Sequence, residues 1–197
     1  MKVYFARHGE YQNPEGVVPY RMPGFPLTEL GISQAHLQAD KLLTLNIRDI
    51  FCSPVERCFQ TASIIGTSLH LAVNKKDLLI ETGTPLQGMK RDEIANLSPN
   101  YPYDVPTHTE GGGESPDQIF ARIQEFIEKL KVMSSKSSHL IVSHGDPITI
   151  FLIKTLTGKV PHLIEEFEKS KVRYIPMGGL VMLDYSQKGI PKYTEII

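Results

Sequence analysis

The sequence predicts an α/β fold, a three-layer α/β/α sandwich in which helices cover both faces of a mainly parallel sheet. Three observations support this prediction. Strand and helix patterns alternate along the 197 residues, two short apolar runs each end in His-Gly, and no repeat, low-complexity tract or linker interrupts the chain. With 41% apolar residues, a chain of this length can bury a sizeable core. We therefore expect one domain spanning residues 1–197.

The first half of the chain has the pattern of two strands that alternate with two helices. Residues 2–7 form a short apolar run followed by Gly9, which is typical of a buried strand that enters a tight turn. Ser53 and Pro54 fit the N-cap and first position of the second helix. The segments predicted after the first strand are a helix over 28–45, a strand over 49–52 and a helix from 54 to about 70.

The second half of the chain contains a long loop between its regular elements. Residues 83–114 are rich in Pro, Gly and Asn, and a loop of that length in a compact domain is usually functional, often a lid. We interpret 83–114 as a substrate rim. The other predicted elements are a strand over 78–80, a helix over 116–133, a strand over 139–143, a helix over 147–157, and late strands over 179–184 and 192–197 at the far side of the sheet.

Charge, apolar runs and cysteine content argue against several classes of protein. The formal net charge of −1 gives no global basic footprint for nucleic acid, and no apolar run approaches the roughly 20 residues that span a bilayer. The first motif begins at residue 7, which leaves no room for a signal peptide. Cys52 and Cys58 have neither CxxC spacing nor a disulfide framework. We expect a cytoplasmic protein without nucleic-acid or membrane partners, and its oligomeric state stays open.

Two histidines end the two apolar runs. His8 follows Arg7 at the end of the first predicted strand, and His144 follows the strand over 139–143. Because the carboxyl ends of parallel strands line the ligand crevice of an open α/β sheet, both imidazoles should reach the same edge. Two histidines with an adjacent arginine indicate a reactive centre for an anion.

Arg57 is a third candidate for this centre. It lies about one turn into the predicted second helix, directly after a strand. Helix N-termini attract anions through their free N–H groups and dipole, and a guanidinium adds a planar fork that matches phosphate oxygens. The alternative is a surface arginine on an amphipathic helix. Its position just after a strand favours a site residue.

A carboxylate completes the candidate centre. Glu81 directly follows the predicted strand over 78–80, and burial or a bound anion that raised its pKa would let it protonate a leaving group. The alternative is a solvated loop glutamate. Glu10 and Asp146 are the other possible proton donors, although Glu10 fits a loop-ordering role and Asp146 a helix cap beside Pro147.

These residues favour phosphoryl transfer over metal chemistry. Arg7, Arg57, His8 and His144 would place several donors around one anion, whereas two arginines repel a cation, so we expect no metal site and no cofactor. Neighbouring arginines also lower the pKa of His8 and keep its imidazole neutral, as a nucleophile requires. A neutral histidine in a phosphate pocket with a carboxylic acid nearby indicates a phosphohistidine intermediate.

Four motifs resemble those of the histidine phosphatase superfamily, also called the phosphoglycerate mutase-like family. They are Arg7-His8-Gly9-Glu10, Pro26-Leu27-Thr28-Glu29-Leu30-Gly31, Ser53-Pro54-x-x-Arg57-Cys58-x-Gln60-Thr61-Ala62 and Ser143-His144-Gly145. The resemblance implies a phosphoglycerate mutase-like fold. It also implies that His8 is the nucleophile, that Arg7, Arg57 and His144 form the phosphate pocket, and that Glu81 donates a proton. Ser115, after three glycines and Glu114, would be a helix N-cap.

Two departures from the family pattern favour hydrolysis over mutase activity. Asn13 lies six residues after Arg7, where mutase-type members usually place an Asn at seven, and the spacing from Glu81 to Gly88 is one residue short. The chain is also shorter than the glycolytic mutases. We therefore expect a phosphatase acting on a small phosphorylated metabolite or a phosphoprotein, with a mutase or a non-catalytic phosphate-binding module as alternatives. The further candidate substrate-binding residues are Asn13, Arg21 and His108.

Overall fold

The computed structural model describes residues 1–97, 110–133 and 136–197. The described strands are β1 (Lys2–Arg7), β2 (Ile47–Cys52), β3 (Val73–Lys75), β4 (Ser138–Ser143), β5 (Leu180–Asp184) and β6 (Lys192–Glu195). The described helices are α1 (Glu29–Leu42), α2 (Glu56–Leu69), α3 (Arg91–Leu97), α4 (Pro116–Met133), α5 (Gly145–Thr157) and α6 (Ile164–Lys169). None of these helices is both long enough and apolar enough to cross a bilayer.

The strands form one six-stranded sheet in the order β3-β2-β4-β1-β5-β6. Strands β1, β2, β3 and β4 pair in parallel, and β5 and β6 add to the β1 edge in antiparallel orientation. The prediction of a mainly parallel sheet with the last strands at its far side is confirmed. In the β1–β4 pair Arg7 lies opposite Ser143, so the residues that follow the two strands leave the sheet side by side.

Alternate side chains of the central strands enter two separate cores, because successive residues of a strand point to opposite faces. Tyr4 and Ala6 of β1 pack in the core on the side of α1 and α2, while Val3 and Phe5 pack on the side of α4 and α5. All four of these side chains are buried. Each large apolar side chain that is fully buried contributes roughly 1.5–3 kcal/mol, so both helical layers are held to the sheet by packing. The three-layer prediction is therefore confirmed.

The predicted strand over 78–80 is wrong. Asp77–Leu79 form a turn of 3-10 helix, and the edge strand β3 comes earlier in the chain. The buried Leu79 packs in the core of the α4 side, its N–H donates to the Lys76 carbonyl, and its own carbonyl accepts the Ser143 hydroxyl at 2.8 Å. Short apolar runs do not distinguish a strand from a buried turn, because both bury their side chains.

The predicted loop over 83–114 is only partly irregular. It contains α3, whose Ile94 is buried, and its residues 98–109 lie outside the described part of the chain. The helices at 28–45 and 54–70 are confirmed with shorter bounds. The N-cap of α2 is Val55 and its first residue is Glu56, so the predicted cap Ser53 and first helical residue Pro54 both precede the helix. The Ser53 hydroxyl accepts the Val55 N–H at 3.3 Å and also contacts His144, as described below.

Candidate active site

His8 is fixed at the point where β1 ends. Its backbone N–H donates to the Ser143 carbonyl at 3.1 Å, and its side chain is 1% exposed. The next residue, Gly9, lies so close to the backbone of Gly31 in α1 that a Cβ on either glycine would collide with the backbone of the other segment. Packing therefore requires a glycine at this turn, and the contact with α1 fixes the backbone next to His8.

The hydrogen bonds of His8 leave a lone pair on Nε2. Its Nδ1 lies 2.8 Å from the Gly9 carbonyl, which only accepts, so Nδ1 carries the hydrogen. Arg57 Nε donates to Nε2 at 3.1 Å. Burial lowers the pKa of His8 well below its usual value, the charges of Arg57 and Arg7 lower it further, and the Gly9 hydrogen bond opposes them. The expectation that arginines keep this imidazole neutral holds, although burial is the larger cause.

His144 meets His8 from the adjacent strand. The two ring centroids are 5.2 Å apart, and His144 is fully buried. Its Nε2 lies 2.8 Å from the Ser53 hydroxyl, while its Nδ1 edge faces Arg57 Nη2 at 3.2 Å and Glu81 Oε2 at 3.3 Å. Burial and the Arg57 charge lower the pKa of His144 well below its usual value. The ring is therefore oriented by Ser53 with its Nδ1 edge towards the other candidate residues.

Both candidate arginines keep a buried N–H group without a hydrogen-bond partner in the described part of the chain. Arg57, in the first turn of α2, is 2% exposed and donates through Nη2 to the Tyr20 carbonyl at 2.7 Å, but its Nη1 is unpaired. Arg7 donates through Nη1 to the Ile175 carbonyl at 2.9 Å, and its Nε is unpaired. Unsatisfied buried donors are costly and rare. Two such donors beside two buried histidines indicate a site for an anion.

Glu81 closes this cluster. Its Oε1 accepts the Thr82 N–H at 2.9 Å, and its Oε2 lies 3.3 Å from His144 Nδ1 and 3.7 Å from Arg57 Nη2. Burial raises the pKa of Glu81 to about 7, the Asp146 charge adds to this rise, and the Arg57 charge opposes it. The carboxyl group can therefore exchange a proton near neutral pH.

The two alternative proton donors have other contacts. Glu10 accepts the Thr28 hydroxyl at 2.9 Å at the start of α1, in keeping with a loop-ordering role. Asp146 lies in the first turn of α5, whose N-cap is His144, and it accepts the Tyr174 hydroxyl at 2.6 Å. Asp146 therefore borders the cluster and acts on Glu81 through its charge.

The further candidates for substrate binding are not gathered around His8 in the same way. The Asn13 amide bonds to both backbone groups of Val17, at 2.7 and 3.2 Å, within its own loop. Arg21 donates to the Glu81 carbonyl at 2.7 Å and pairs with Glu114 at 2.5 Å. His108 lies outside the described residues. The roles of these three residues in substrate binding stay predictions.

Ser53 and Tyr174 lie beside the cluster and were missed by reasoning from the sequence. Ser53 was assigned to a helix cap, yet it holds His144; its position directly after β2 was a signal, because that strand end faces the same crevice. Tyr174 lies with its ring 5.3 Å from the Arg7 guanidinium, in a segment that no motif marked. By contrast, Ser115 is confirmed as the N-cap residue of α4, where it accepts the Gln118 N–H at 3.2 Å.

The donor set of the cluster suits an oxyanion. Within residues 1–97, 110–133 and 136–197 no group of three or more His, Cys, Asp or Glu side chains has the arrangement of a metal site. Guanidinium and imidazole groups instead match the geometry and charge of a phosphate. The independence of this site from metals stays a prediction that experiment must test.

Comparison with known proteins identifies a family for the chain. A family model described as the histidine phosphatase superfamily (branch 1) matches residues 3–187. An uncharacterized protein of Mycobacterium tuberculosis, Rv0525, is 31% identical over 166 residues, which cover 80% of this chain and 79% of that protein. The probable phosphoglycerate mutase GpmB of Yersinia pestis is 29% identical over 167 residues, which cover 82% of this chain and 77% of the relative.

Solved structures share the whole fold. The mycobacterial glucosyl-3-phosphoglycerate phosphatase Rv2419c, in complex with VO3, superimposes with a TM-score of 0.82 at 20% identity and covers 100% of this chain and 97% of its own. A putative α-ribazole-5′-P phosphatase from Escherichia coli K-12 gives a TM-score of 0.75 at 22% identity, with 100% and 96% covered. At these identities the likeness establishes the architecture.

Proposed function

Because the chain belongs to the histidine phosphatase superfamily (branch 1), we propose that it hydrolyses phosphomonoesters through a phosphohistidine on His8. One observation carries the proposal. The buried Nε2 of His8 bears a lone pair directly beside Arg57, within a cluster whose arginines keep unpaired N–H groups. Such a group is a nucleophile next to donors for the phosphate that it attacks.

The first step transfers the phosphoryl group to the enzyme. An entering phosphate takes over the Arg57 N–H that His8 Nε2 accepts, which frees the lone pair for attack. The N–P bond forms while the ester P–O bond breaks, and Glu81 gives its proton to the leaving oxygen. Donors from Arg7, Arg57 and His144 stabilise the charge on the three other oxygens.

The second step regenerates the enzyme. The Glu81 carboxylate takes a proton from a water molecule whose oxygen attacks the phosphorus atom. The N–P bond breaks, its electron pair returns to Nε2, and inorganic phosphate leaves. The pKa of Glu81, raised to about 7, supports both roles because the group is a competent acid and a competent base near neutrality.

The substrate class that we propose is a small phosphorylated metabolite. The structural relatives named above as phosphatases suggest a first panel that contains glucosyl-3-phosphoglycerate, α-ribazole-5′-phosphate and a phosphoglycerate. A phosphopeptide belongs in the same panel, since a phosphoprotein is the other substrate class that the sequence leaves open. Release of inorganic phosphate ranks these compounds.

A mutase is the second candidate, and the similarity to GpmB favours it. A mutase would return the phosphoryl group from His8 to another hydroxyl of the same substrate, whereas a phosphatase gives it to water. Incubation with 3-phosphoglycerate separates the two: the phosphatase yields glycerate and phosphate, and the mutase yields 2-phosphoglycerate.

The nucleophile is tested with His8→Ala. We expect this variant to lose at least about 10³-fold of the turnover of p-nitrophenyl phosphate while it stays folded, because the substitution removes the lone pair to which the mechanism assigns the attack. The wild-type enzyme, quenched with denaturant at alkaline pH, should carry a phosphate that is labile to acid and stable to alkali, as a phosphoramidate is. His36→Ala, an exposed position in α1, is the control.

Near-normal turnover in His8→Ala would refute the proposed mechanism. A wild-type protein that binds vanadate but turns over no ester in the panel would instead support the third alternative, a non-catalytic phosphate-binding module.

A further inference from the structure

Glu114 lies at the end of the 83–114 segment, two residues before α4 begins. Its backbone N–H donates to the Gly83 carbonyl at 2.8 Å, and its Oε2 accepts the Gly83 N–H at 2.9 Å. The two ends of the segment are therefore joined to each other. Gly83 is two residues after Glu81, so this junction adjoins the proposed proton donor.

Two arginines share the Glu114 carboxylate. Arg21 Nη2 pairs with Oε2 at 2.5 Å, while Arg122 of α4 donates through Nε to Oε1 at 2.9 Å and through Nη2 to Oε2 at 3.3 Å. The side chains of Arg122 and Glu114 are 11% and 22% exposed. The Arg122 pair is therefore less screened than a surface pair, while the Arg21 side chain is 35% exposed. Both guanidinium groups share this one carboxylate.

Each arginine also donates a hydrogen bond to the backbone near Glu81. Arg21 Nε donates to the Glu81 carbonyl at 2.7 Å, and Arg122 Nη1 donates to the Leu78 carbonyl at 2.8 Å. Together with the Gly83 contacts, these bonds hold the backbone on both sides of Glu81. One carboxyl oxygen of Glu81 accepts the Thr82 N–H, and the other faces His144. A small movement of the backbone would therefore displace the carboxyl group and the proton that it is proposed to donate.

We propose that Glu114 is a positioning residue for the general acid, in that it holds Glu81 at the leaving-group side of the phosphate through Arg21, Arg122 and Gly83. This inference rests on the proposed function, because it presumes that Glu81 protonates a leaving group. It gives Arg21 a part in positioning the acid, in addition to its untested role in substrate binding. Glu114 itself touches none of the reacting atoms.

A positioning role predicts an effect that depends on the leaving group. p-Nitrophenolate is a good leaving group without protonation, whereas phenolate needs a proton in the transition state. A misplaced acid therefore slows the reaction with phenyl phosphate much more than the reaction with p-nitrophenyl phosphate. A residue that merely supports the fold would slow both esters equally. The ratio of the two single-turnover phosphorylation rates therefore distinguishes these roles.

The experiment compares Glu114→Ala and Glu114→Gln with the wild-type protein on phenyl phosphate and p-nitrophenyl phosphate. We expect Glu114→Ala to slow phenyl phosphate at least about 10-fold more than p-nitrophenyl phosphate. Glu114→Gln, which keeps an acceptor for Gly83 N–H but loses both ion pairs, should fall between. The control Glu125→Ala removes a different ion-paired glutamate, on the exposed side of α4, and should change neither rate.

The double variant Glu81→Gln/Glu114→Ala tests whether the effect passes through Glu81. If it does, the double variant has the same rate ratio as Glu81→Gln alone. Thermal unfolding of each variant checks that it is folded, and Glu114→Gln decides the result if Glu114→Ala is not. Equal slowing of both esters, or a further loss in the double variant, would overturn the positioning role.

Failure of the proposed function is recognised separately. It shows in the wild-type protein as the absence of turnover and of phosphohistidine. Failure of the general-acid assignment shows in Glu81→Gln as an unchanged rate ratio. Failure of the present inference leaves Glu81→Gln sensitive to the leaving group and Glu114→Ala insensitive to it.

Discussion

At the scale of single residues, burial shifts the pKa values of His8 and Glu81 in opposite directions, as the proposed reaction requires. Removal from water disfavours the charged form of any group, so it lowers the pKa of the imidazole and raises that of the carboxyl group. Near pH 7 the imidazole is thereby a neutral base, and the carboxyl group is partly protonated. Arg57, which contacts both, opposes the rise at Glu81 and adds to the fall at His8.

The general-acid role of Glu81 predicts a leaving-group effect in Glu81→Gln. We expect phosphorylation by phenyl phosphate to slow by about 10²–10⁴-fold, and that by p-nitrophenyl phosphate to slow much less. Single-turnover rates are the measurement, because they separate phosphorylation from hydrolysis of the phosphoenzyme. Equal, small losses on both esters would move the role to Glu10 or Asp146.

The raised pKa of Glu81 also predicts a pH-dependent effect on stability. The native state binds this proton more tightly than the unfolded state, whose glutamate titrates near its ordinary value of 4.5. The stability that comes from the protonated form is thus complete below pH 4.5 and is lost as the pH rises through about 7. Glu81→Gln removes this dependence.

We therefore expect the free energy of unfolding of Glu81→Gln, measured relative to wild type, to rise by about 1–3 kcal/mol when the pH is raised from 5 to 8. Urea unfolding at the two pH values measures the difference. A difference in stability between the variant and wild type that is the same at pH 5 and pH 8 would contradict the assignment of a raised pKa to this carboxyl group.

At the scale of elements, parallel pairing and a close backbone contact place the site. Strands β1 and β4 are neighbours in register, so His8 and His144 leave the sheet side by side, and β2 brings Ser53 and the start of α2 to the same edge. The turn after β1 then passes under α1 at Gly31. Each element therefore contributes one group to the cluster, and the turn fixes the position of the backbone next to His8.

This contact predicts an unusual result for Gly31→Ala. Alanine favours a helix over glycine by about 1 kcal/mol, but a Cβ at this position would collide with the Glu10 carbonyl. Backbone on both sides cannot yield cheaply, so we expect a loss of about 1–3 kcal/mol and reduced turnover. Thermal and urea unfolding measure the loss, with the exposed Ser33→Ala in the same helix as the control. Increased stability in Gly31→Ala would refute the contact.

At the scale of the whole molecule, the chain is close to neutral but concentrates positive charge in one buried place. The formal net charge is −1, while Arg7, Arg57 and Arg122 all act electrostatically on His144. We expect a cation to be repelled there and an oxyanion to be bound. This expected preference for anions depends on the fold, since the net charge does not show it.

This concentration of charge predicts activity without metals and inhibition by oxyanions. We expect turnover of p-nitrophenyl phosphate to survive exhaustive dialysis against EDTA, and vanadate to compete with the substrate because it can fill the same donors. Steady-state rates before and after dialysis, with and without added Mg²⁺ or Zn²⁺, are the measurement. Loss on chelation with rescue by a divalent cation would overturn the oxyanion pocket.

The sequence alone determined the parts of this protein that depend on local pattern. Alternating apolar runs predicted the layered α/β fold, and the residues next to strand ends predicted the cluster of Arg7, His8, Arg57 and His144. These predictions succeed because strand periodicity and the common edge of parallel strands are regular, so a position in the sequence translates directly into a position in space. The sequence also pointed to Glu81, but from a strand over 78–80 that is a turn of 3-10 helix in the structure.

Contacts between distant segments were decided only by the tertiary structure. The turn before Glu81 resembled a strand in sequence, because its apolar residues are buried in either conformation. The partners of Ser53 and of Glu114 come from other elements, at separations of 91 residues for the bond to His144 and 93 for the pair with Arg21. No local pattern encodes such pairs, since they exist only once the core has brought the elements together.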